Sequence, residues 1–135
     1  MSQRFTWKKA EKLKSRKRID RVFREGKSFS LFPYRVYFLL GPAAGESAPP
    51  TGASALQAGF GASSRHFKKA VDRNRIKRLS REAYRLQKEP LLQRVKEKGV
   101  SMALFFIYTG RDLPDYATAS EKIGVALQKL IKEIT

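Results

Sequence analysis

The 135-residue chain has no cysteine and a single histidine, His66. Without thiols there can be no disulfide framework, no thiolate metal site and no cysteine nucleophile, which fits a reducing compartment. One histidine excludes a histidine-rich metal cluster. No apolar run reaches the roughly 18 residues of a membrane-spanning helix. Residues 1–10 are basic with no apolar stretch behind them, so they do not read as a signal peptide. A cytoplasmic protein with no membrane partner is the expectation. Acidic residues are also scarce, with 12 Asp and Glu against 29 Lys and Arg, a net charge of +17. A polyanion would relieve that self-repulsion, and nucleic acid is the first candidate.

What is present bounds the fold. The length suits one domain with one modest core, and a composition 41% hydrophobic and 30% charged argues against disorder of the whole chain. The charge is patterned. Residues 1–27 hold eleven basic and three acidic side chains and residues 65–88 hold ten and two, so each block carries +8. Residues 28–64 are neutral and residues 89–135 carry +1. Two blocks thus account for nearly all the excess, which reads as a binding footprint more than as a solvated surface.

Residues 15–25 predict a helix, with Ser15 as cap, Ile19, Val22 and Phe23 on one face, and Gly26 as a left-handed stop. Residues 1–14 read as a basic arm, and residues 15–135 as the domain. Phe5 and Trp7 in that arm could stack on bases or fold back as a small apolar staple. Residues 34–40 are rich in aromatic and β-branched side chains and predict a strand, with a short one at 27–30. Residues 41–53, rich in Gly, Pro, Ala and Ser, read as a flexible connection to a strand over 55–62 that contains Gly59 and Gly61. A long helix is expected over 67–88, its stripe Ile76, Leu79, Ala83 and Leu86 opposed by Arg73, Asn74, Lys77, Arg81, Arg85 and Lys88. Residues 100–109 form a near-continuous apolar run, as for a central strand covered on both faces. Ile123, Leu127, Leu130, Ile131 and Ile134 mark a last amphipathic helix. The order α-β-β-β-α-β-α makes a single-domain α+β fold, an α/β sandwich, with a crossover whose base rate is right-handed if its strands are parallel.

The densest chemistry lies at Arg73-Asn74-Arg75-Ile76-Lys77-Arg78. Four cations and one amide supply donors suited to phosphate oxygens, and arginine can grip two oxygens at once or stack on a base. His66 has no carboxylate or nucleophile at a telling spacing and reads as a phosphate or turn contact. Asp112 and Asp115, with Pro114 between them, read as turn and helix-cap residues and not as metal ligands.

Arg73-Asn74-Arg75, continuing through Ile76-Lys77-Arg78-Leu79-Ser80-Arg81-Glu82-Ala83-Tyr84-Arg85, resembles the signature of the bacterial ribonuclease P protein component family. Leu13 and Ile19-Asp20-Arg21-Val22-Phe23-Arg24-Glu25-Gly26 resemble its first helix, and the likeness extends over about residues 12–134. The resemblance implies an α/β sandwich of the ribosomal protein S5 domain 2-like kind, with a left-handed crossover in place of the base rate. It implies an endoribonuclease holoenzyme that removes the 5′ leader of precursor tRNA, with catalysis and the magnesium requirement in a separate RNA subunit. No catalytic or metal-ligating residue is expected in this chain, and one protein per RNA is expected. By position, Arg65, Lys68, Lys69, Arg73, Asn74, Arg75, Lys77, Arg78, Arg81 and Arg85 would face the catalytic RNA. Ile19, Phe23, Arg35, Tyr37 and Phe38 would line the leader cleft. Ile19 and Arg35 stand where the family often has aromatics, Ser64 stands where a lysine is usual, and the 41–53 connection is longer than usual. The alternatives are a general RNA-binding or ribosome-associated protein, and a self-sufficient nuclease, for which the sequence supplies no acidic or histidine cluster.

Overall fold

The alternation of neighbouring side chains along the strands divides this molecule into two unequal layers. In a computed structural model, residues 9–42 and 54–134 are described. Phe5, Trp7 and most of the 41–53 connection lie outside them. After a 3₁₀ turn (Lys9–Glu11) come α1 (Arg16–Glu25), β1 (Lys27–Leu31), β2 (Tyr34–Pro42), β3 (Leu56–Ala62), α2 (Ala70–Gln87), α3 (Glu89–Lys98), β4 (Val100–Tyr108) and α4 (Tyr116–Glu133). The sheet order is β1-β2-β4-β3, with β3 and β4 parallel and the other pairs antiparallel.

Because β4 is central, both of its faces need cover. Val36, Phe38, Leu56, Ala58, Met102, Leu104 and Phe106 point to one face and form the main core with Ile76, Ala83, Tyr84, Leu91, Val95, Ile123, Leu127 and Leu130 of α2, α3 and α4. Tyr37, Leu39, Ala103 and Phe105 point the other way, where α1 supplies Val22 and Ile19 and the preceding segment supplies Leu13. Burying each large aliphatic group contributes about 1.5–3 kcal/mol, so the first layer carries most of the stability.

Four sequence expectations change. A separate helix, α3, follows α2: Pro90 starts it near N1, where the missing N–H costs nothing, and Gly99 ends it at φ 65°. Gly26 is not left-handed but extended, at φ −80° and ψ 173°. Glycine is required there by proximity, since a β-carbon would lie 2.5 Å from the carbonyl oxygens of Phe38 and Val22. The buried stripe of α2 is Ile76, Ser80, Ala83 and Tyr84, leaving Leu86 exposed, so the helix is rotated relative to the expected stripe. Lys88 is therefore not on the cationic face. It is 3% exposed and paired with Glu11 of the N-terminal segment.

That segment joins the fold before residue 15. Leu13 N–H donates to Ala58 O at 2.9 Å, Lys12 bridges to Ala58 in parallel, and Ser54 N–H donates to Ala10 O at 2.9 Å. The free edge of β3 is thereby covered, which removes a template for unwanted strand pairing. On the other side of the core, Tyr34 Oη and Ser80 Oγ share a hydrogen bond of 2.8 Å, and Ser80 also donates to Ile76 O at 2.9 Å.

Two stability measurements follow. Lys88→Met leaves Glu11 without this partner in a largely buried place and is expected to cost about 3 kcal/mol by urea denaturation, whereas Lys88→Met with Glu11→Leu should recover most of that loss. Burial pushes the Tyr34 hydroxyl from 10.0 up to about 12. The unfolded chain therefore releases this proton first, and stability is expected to fall as pH rises from about 10 towards 12. Tyr34→Phe should flatten that slope in alkaline unfolding curves.

Candidate nucleic-acid interface

The outer face of α2 carries the first set of candidate residues. Asn74, Arg75, Arg78 and Arg81 are exposed there, Lys77 and Arg85 are half-buried beside them, and Arg65, Lys68 and Lys69 are exposed in the loop that enters the helix. No carboxylate among the described residues pairs with Arg75, Arg78 or Arg81. Their spacing of three residues sets them along one ridge, a row of unneutralised cations that fits a phosphate backbone. Arg85 differs, since Glu82 accepts from its guanidinium. This contact holds the Glu82 carboxyl below its usual range and raises Arg85.

Arg73 also departs from the row. Its guanidinium turns back and donates to Phe67 O at 2.7 Å and Lys68 O at 2.8 Å. Phe67, 6% exposed, packs on Tyr108 with ring centroids 6.0 Å apart. Arg73 thus secures the loop that presents Arg65, Lys68 and Lys69. His66 is half-buried nearby, with Nδ1 enclosed and without a hydrogen-bond partner.

The second set divides. Phe23 of α1 meets Tyr37 at 4.7 Å and an interplanar angle of 88°, and Phe105 at 5.2 Å and 65°, while keeping 39% of its surface exposed. Arg35 lies over the Tyr37 ring at 5.6 Å and donates to Tyr37 Oη at 3.1 Å, Ser30 Oγ at 3.0 Å and Ser28 Oγ at 3.3 Å. Three hydroxyls hold the guanidinium in place. Ile19 packs at the base of this wall. Phe38 does not join it: being next to Tyr37 in a strand, it points through the sheet, is 3% exposed and packs in the main core.

Two participants escaped the sequence reading. Phe105 is opposite Tyr37 in register and covers β3, where a β-carbon on Gly59 would lie 2.7 Å from its ring and one on Gly61 3.2 Å. The parity of Arg35 and Tyr37, carried across the register, would have found it. Arg18 on α1 has Nη1 buried without a partner, and burial followed by repulsion from Arg21 lowers its affinity for the proton. It is a partly buried cation with a donor to spare.

Among the described residues no group of three or more His, Asp or Glu side chains could hold a metal. Asp115 caps α4 by accepting from Thr118 N–H at 2.8 Å, which holds its carboxyl below the usual range. Asp115 thus has the cap role expected of it, while Asp112 contributes its main-chain carbonyl, which accepts from Tyr108 Oη at 2.6 Å. No described helix is long and apolar enough to cross a membrane.

The arrangement has known counterparts. The solved ribonuclease P protein of Staphylococcus aureus superposes with a TM-score of 0.63 at 18% identity, covering 94% of this chain and all of that one. The Thermotoga maritima ribonuclease P protein gives 0.62 at 22% identity, covering 88% and 96%. These likenesses establish the fold. In sequence, the ribonuclease P protein components of two Porphyromonas gingivalis strains, ATCC 33277 and W83, are each 35% identical over 126 residues, or 93% of this chain and 87% of theirs. The family model for ribonuclease P matches residues 7–131. With its cationic α2, the aromatic cluster between α1 and the sheet and this match along nearly the whole length, the chain belongs to the ribonuclease P protein component family.

Proposed function

We propose that the two faces divide the work of a ribonuclease P protein subunit, the outer row of α2 toward the catalytic RNA and the α1–sheet cleft toward the 5′ leader of precursor tRNA. The holoenzyme is an endoribonuclease that removes the leader to give the mature tRNA 5′ end, and its catalytic subunit is RNA. This chain contributes binding and placement. One particle contains one copy of the protein, acts in the cytoplasm, and has its magnesium requirement in the RNA.

The observation that supports this division best is the placement of two chemically different surfaces on opposite sides of one sheet. Arg75, Arg78 and Arg81 offer charge with no acid to compete, which suits a duplex or folded RNA backbone. Phe23, Tyr37 and Phe105 offer π-faces beside the clamped Arg35 guanidinium, which suits unpaired bases. With Ile19 and Arg35 in place of aromatics, stacking falls mainly on Phe23, and Arg35 adds a fixed positive charge. A leader bound there lies on the far side of the sheet from α2, so both contacts can be made by one molecule.

Two experiments test it. If about six phosphates of the RNA subunit are neutralised, log K falls against log salt with a slope near −5. Arg75→Ala or Arg78→Ala should each reduce that slope by about one while leaving the urea midpoint unchanged, whereas Arg73→Ala should also lower the midpoint by loosening residues 67–68. Reconstitution with the cognate RNA at low magnesium should restore leader removal. Phe23→Ala should weaken binding of precursor tRNA by about 1–3 kcal/mol and leave mature tRNA binding unaltered. Equal losses for both tRNAs would favour a general RNA-binding protein, and cleavage by the protein alone would place the chemistry in this chain.

A further inference from the structure

A cavity of about 390 Å³ opens at the end of the sheet where β4 passes into α4, with no residue of α1 or α2 in its lining. The β1–β2 turn and the β4–α4 loop form it. Phe32 stands at its rim, 73% exposed, the most exposed large apolar side chain among the described residues. Leu113 also lines it, and Arg111, Asp112, Asp115 and Lys122 are its charged lining residues. Gly110 makes room for the floor, since a β-carbon there would lie 2.6 Å from Tyr108 Oη, the group that donates to Asp112 O. The volume falls within the range of small-molecule sites.

Charge separates this cavity from the rest of the surface. Arg111, Lys122, Asp112 and Asp115 are all among its lining residues, so it is locally balanced on a molecule of net charge +17, and of the two acids Asp115 already accepts from Thr118 N–H. A site built for phosphate alone would not carry two acids. An exposed aromatic platform suits a base, and Arg111 and Lys122 suit the phosphate attached to it. Ionised carboxylates only accept hydrogen bonds, so the edge of the base that meets them has to donate. Guanine presents adjacent ring N–H and amino donors, which match the two oxygens of one carboxylate. Uracil presents two carbonyl acceptors and a single N–H, and two of its three edge groups would be repelled.

We infer that the Phe32–Asp112 cavity binds an unpaired guanine nucleotide of RNA, stacked on Phe32, with its donor edge toward the Asp112 and Asp115 side and its phosphate toward Arg111 and Lys122. The inference rests on the reading of the chain as an RNA-binding subunit and adds a third contact to it. The nucleotide comes from the RNA subunit or from precursor tRNA, which share this chemistry.

Titration of the isotope-labelled full chain with GMP and UMP separates base from phosphate, because the phosphate is common to both. Amide shifts at Gly110, Arg111 and Thr118 should saturate with GMP at about tenfold lower concentration than with UMP. Phe32→Ala should abolish the GMP response, and Asp112→Asn should erase the preference while the fold, checked by the remaining amides, is kept. Equal responses to GMP and UMP, or shifts confined to the α2 cations, would overturn the inference. The measurement needs no RNA subunit, so its failure is distinct from failure of reconstituted leader removal. Photolabelling by 8-azido-GMP should map to residues 110–113 and be suppressed by whichever RNA, added alone, supplies the base. Suppression by neither would also overturn it.

Discussion

The structure depends on one constraint: β4 is paired on both edges and apolar on both faces, so each face of the sheet must be covered. Three helices meet that need on one face, and their cover is complete, with Leu104 and Phe106 fully enclosed. Among the described residues, one short helix and residues 10–13 cover the other face. Ala103 is buried there with Val22 and Leu13, whereas Phe105 and Tyr37, which Phe23 of α1 meets edge-on, stay only partly buried. The cleft is what remains when a sheet that needs two layers receives one and a half. Its aromatics are partly buried and partly bare, and Phe23, 39% exposed, sits at that boundary.

Glycine placement allows this half-covered face to persist. Phe105 lies flat over Gly59 and Gly61, where any side chain would have to push the ring away. A displaced ring would enter the space beside Phe23 and fill the cleft. The two glycines therefore shape the groove from beneath, in addition to relaxing β3. Gly26 acts similarly at the end of α1, letting that helix approach Phe38 O closely enough for Val22 to seal the sheet.

Much of this was legible in the chain. The caps of α1 and α4, the central position of β4 and the cationic motif followed from spacing and side-chain chemistry, because each is set by local periodicity. The face of β2 was not. Residues 34–40 are apolar almost throughout, so no hydrophobic alternation separates Tyr37 from Phe38, and the family resemblance carries both into the cleft by position. Only Arg35 breaks the pattern, and its parity puts Tyr37 outward and Phe38 inward. Helix α3 is hidden in the sequence because Pro90 reads as a stop after α2, yet a proline begins a helix as readily as it follows one. The buried Lys88 was missed because its partner, Glu11, is distant in sequence and no local rule connects them.

Arg73 shows why a motif's density does not translate directly into contacts. The start of α2 is electrostatically unfavourable: Lys68, Lys69, Arg73 and Arg75 crowd the positive end of the helix dipole, Lys69 provides no side-chain cap, and one acid, Asp72, offsets them. Turning Arg73 back onto the Phe67 and Lys68 carbonyls meets part of that difficulty by giving its charge two dipoles of the opposite sense. The remaining cations have no such outlet within the described fold. A phosphate at this terminus would satisfy uncapped amides and neutral-pH charge together. RNA binding then stabilises the helix start as well as the complex, since a ligand that binds only the folded chain raises its stability by mass action. The free subunit is folded by its apolar layers, and its cationic surface reaches its lowest free energy only against the polyanion it is built to meet.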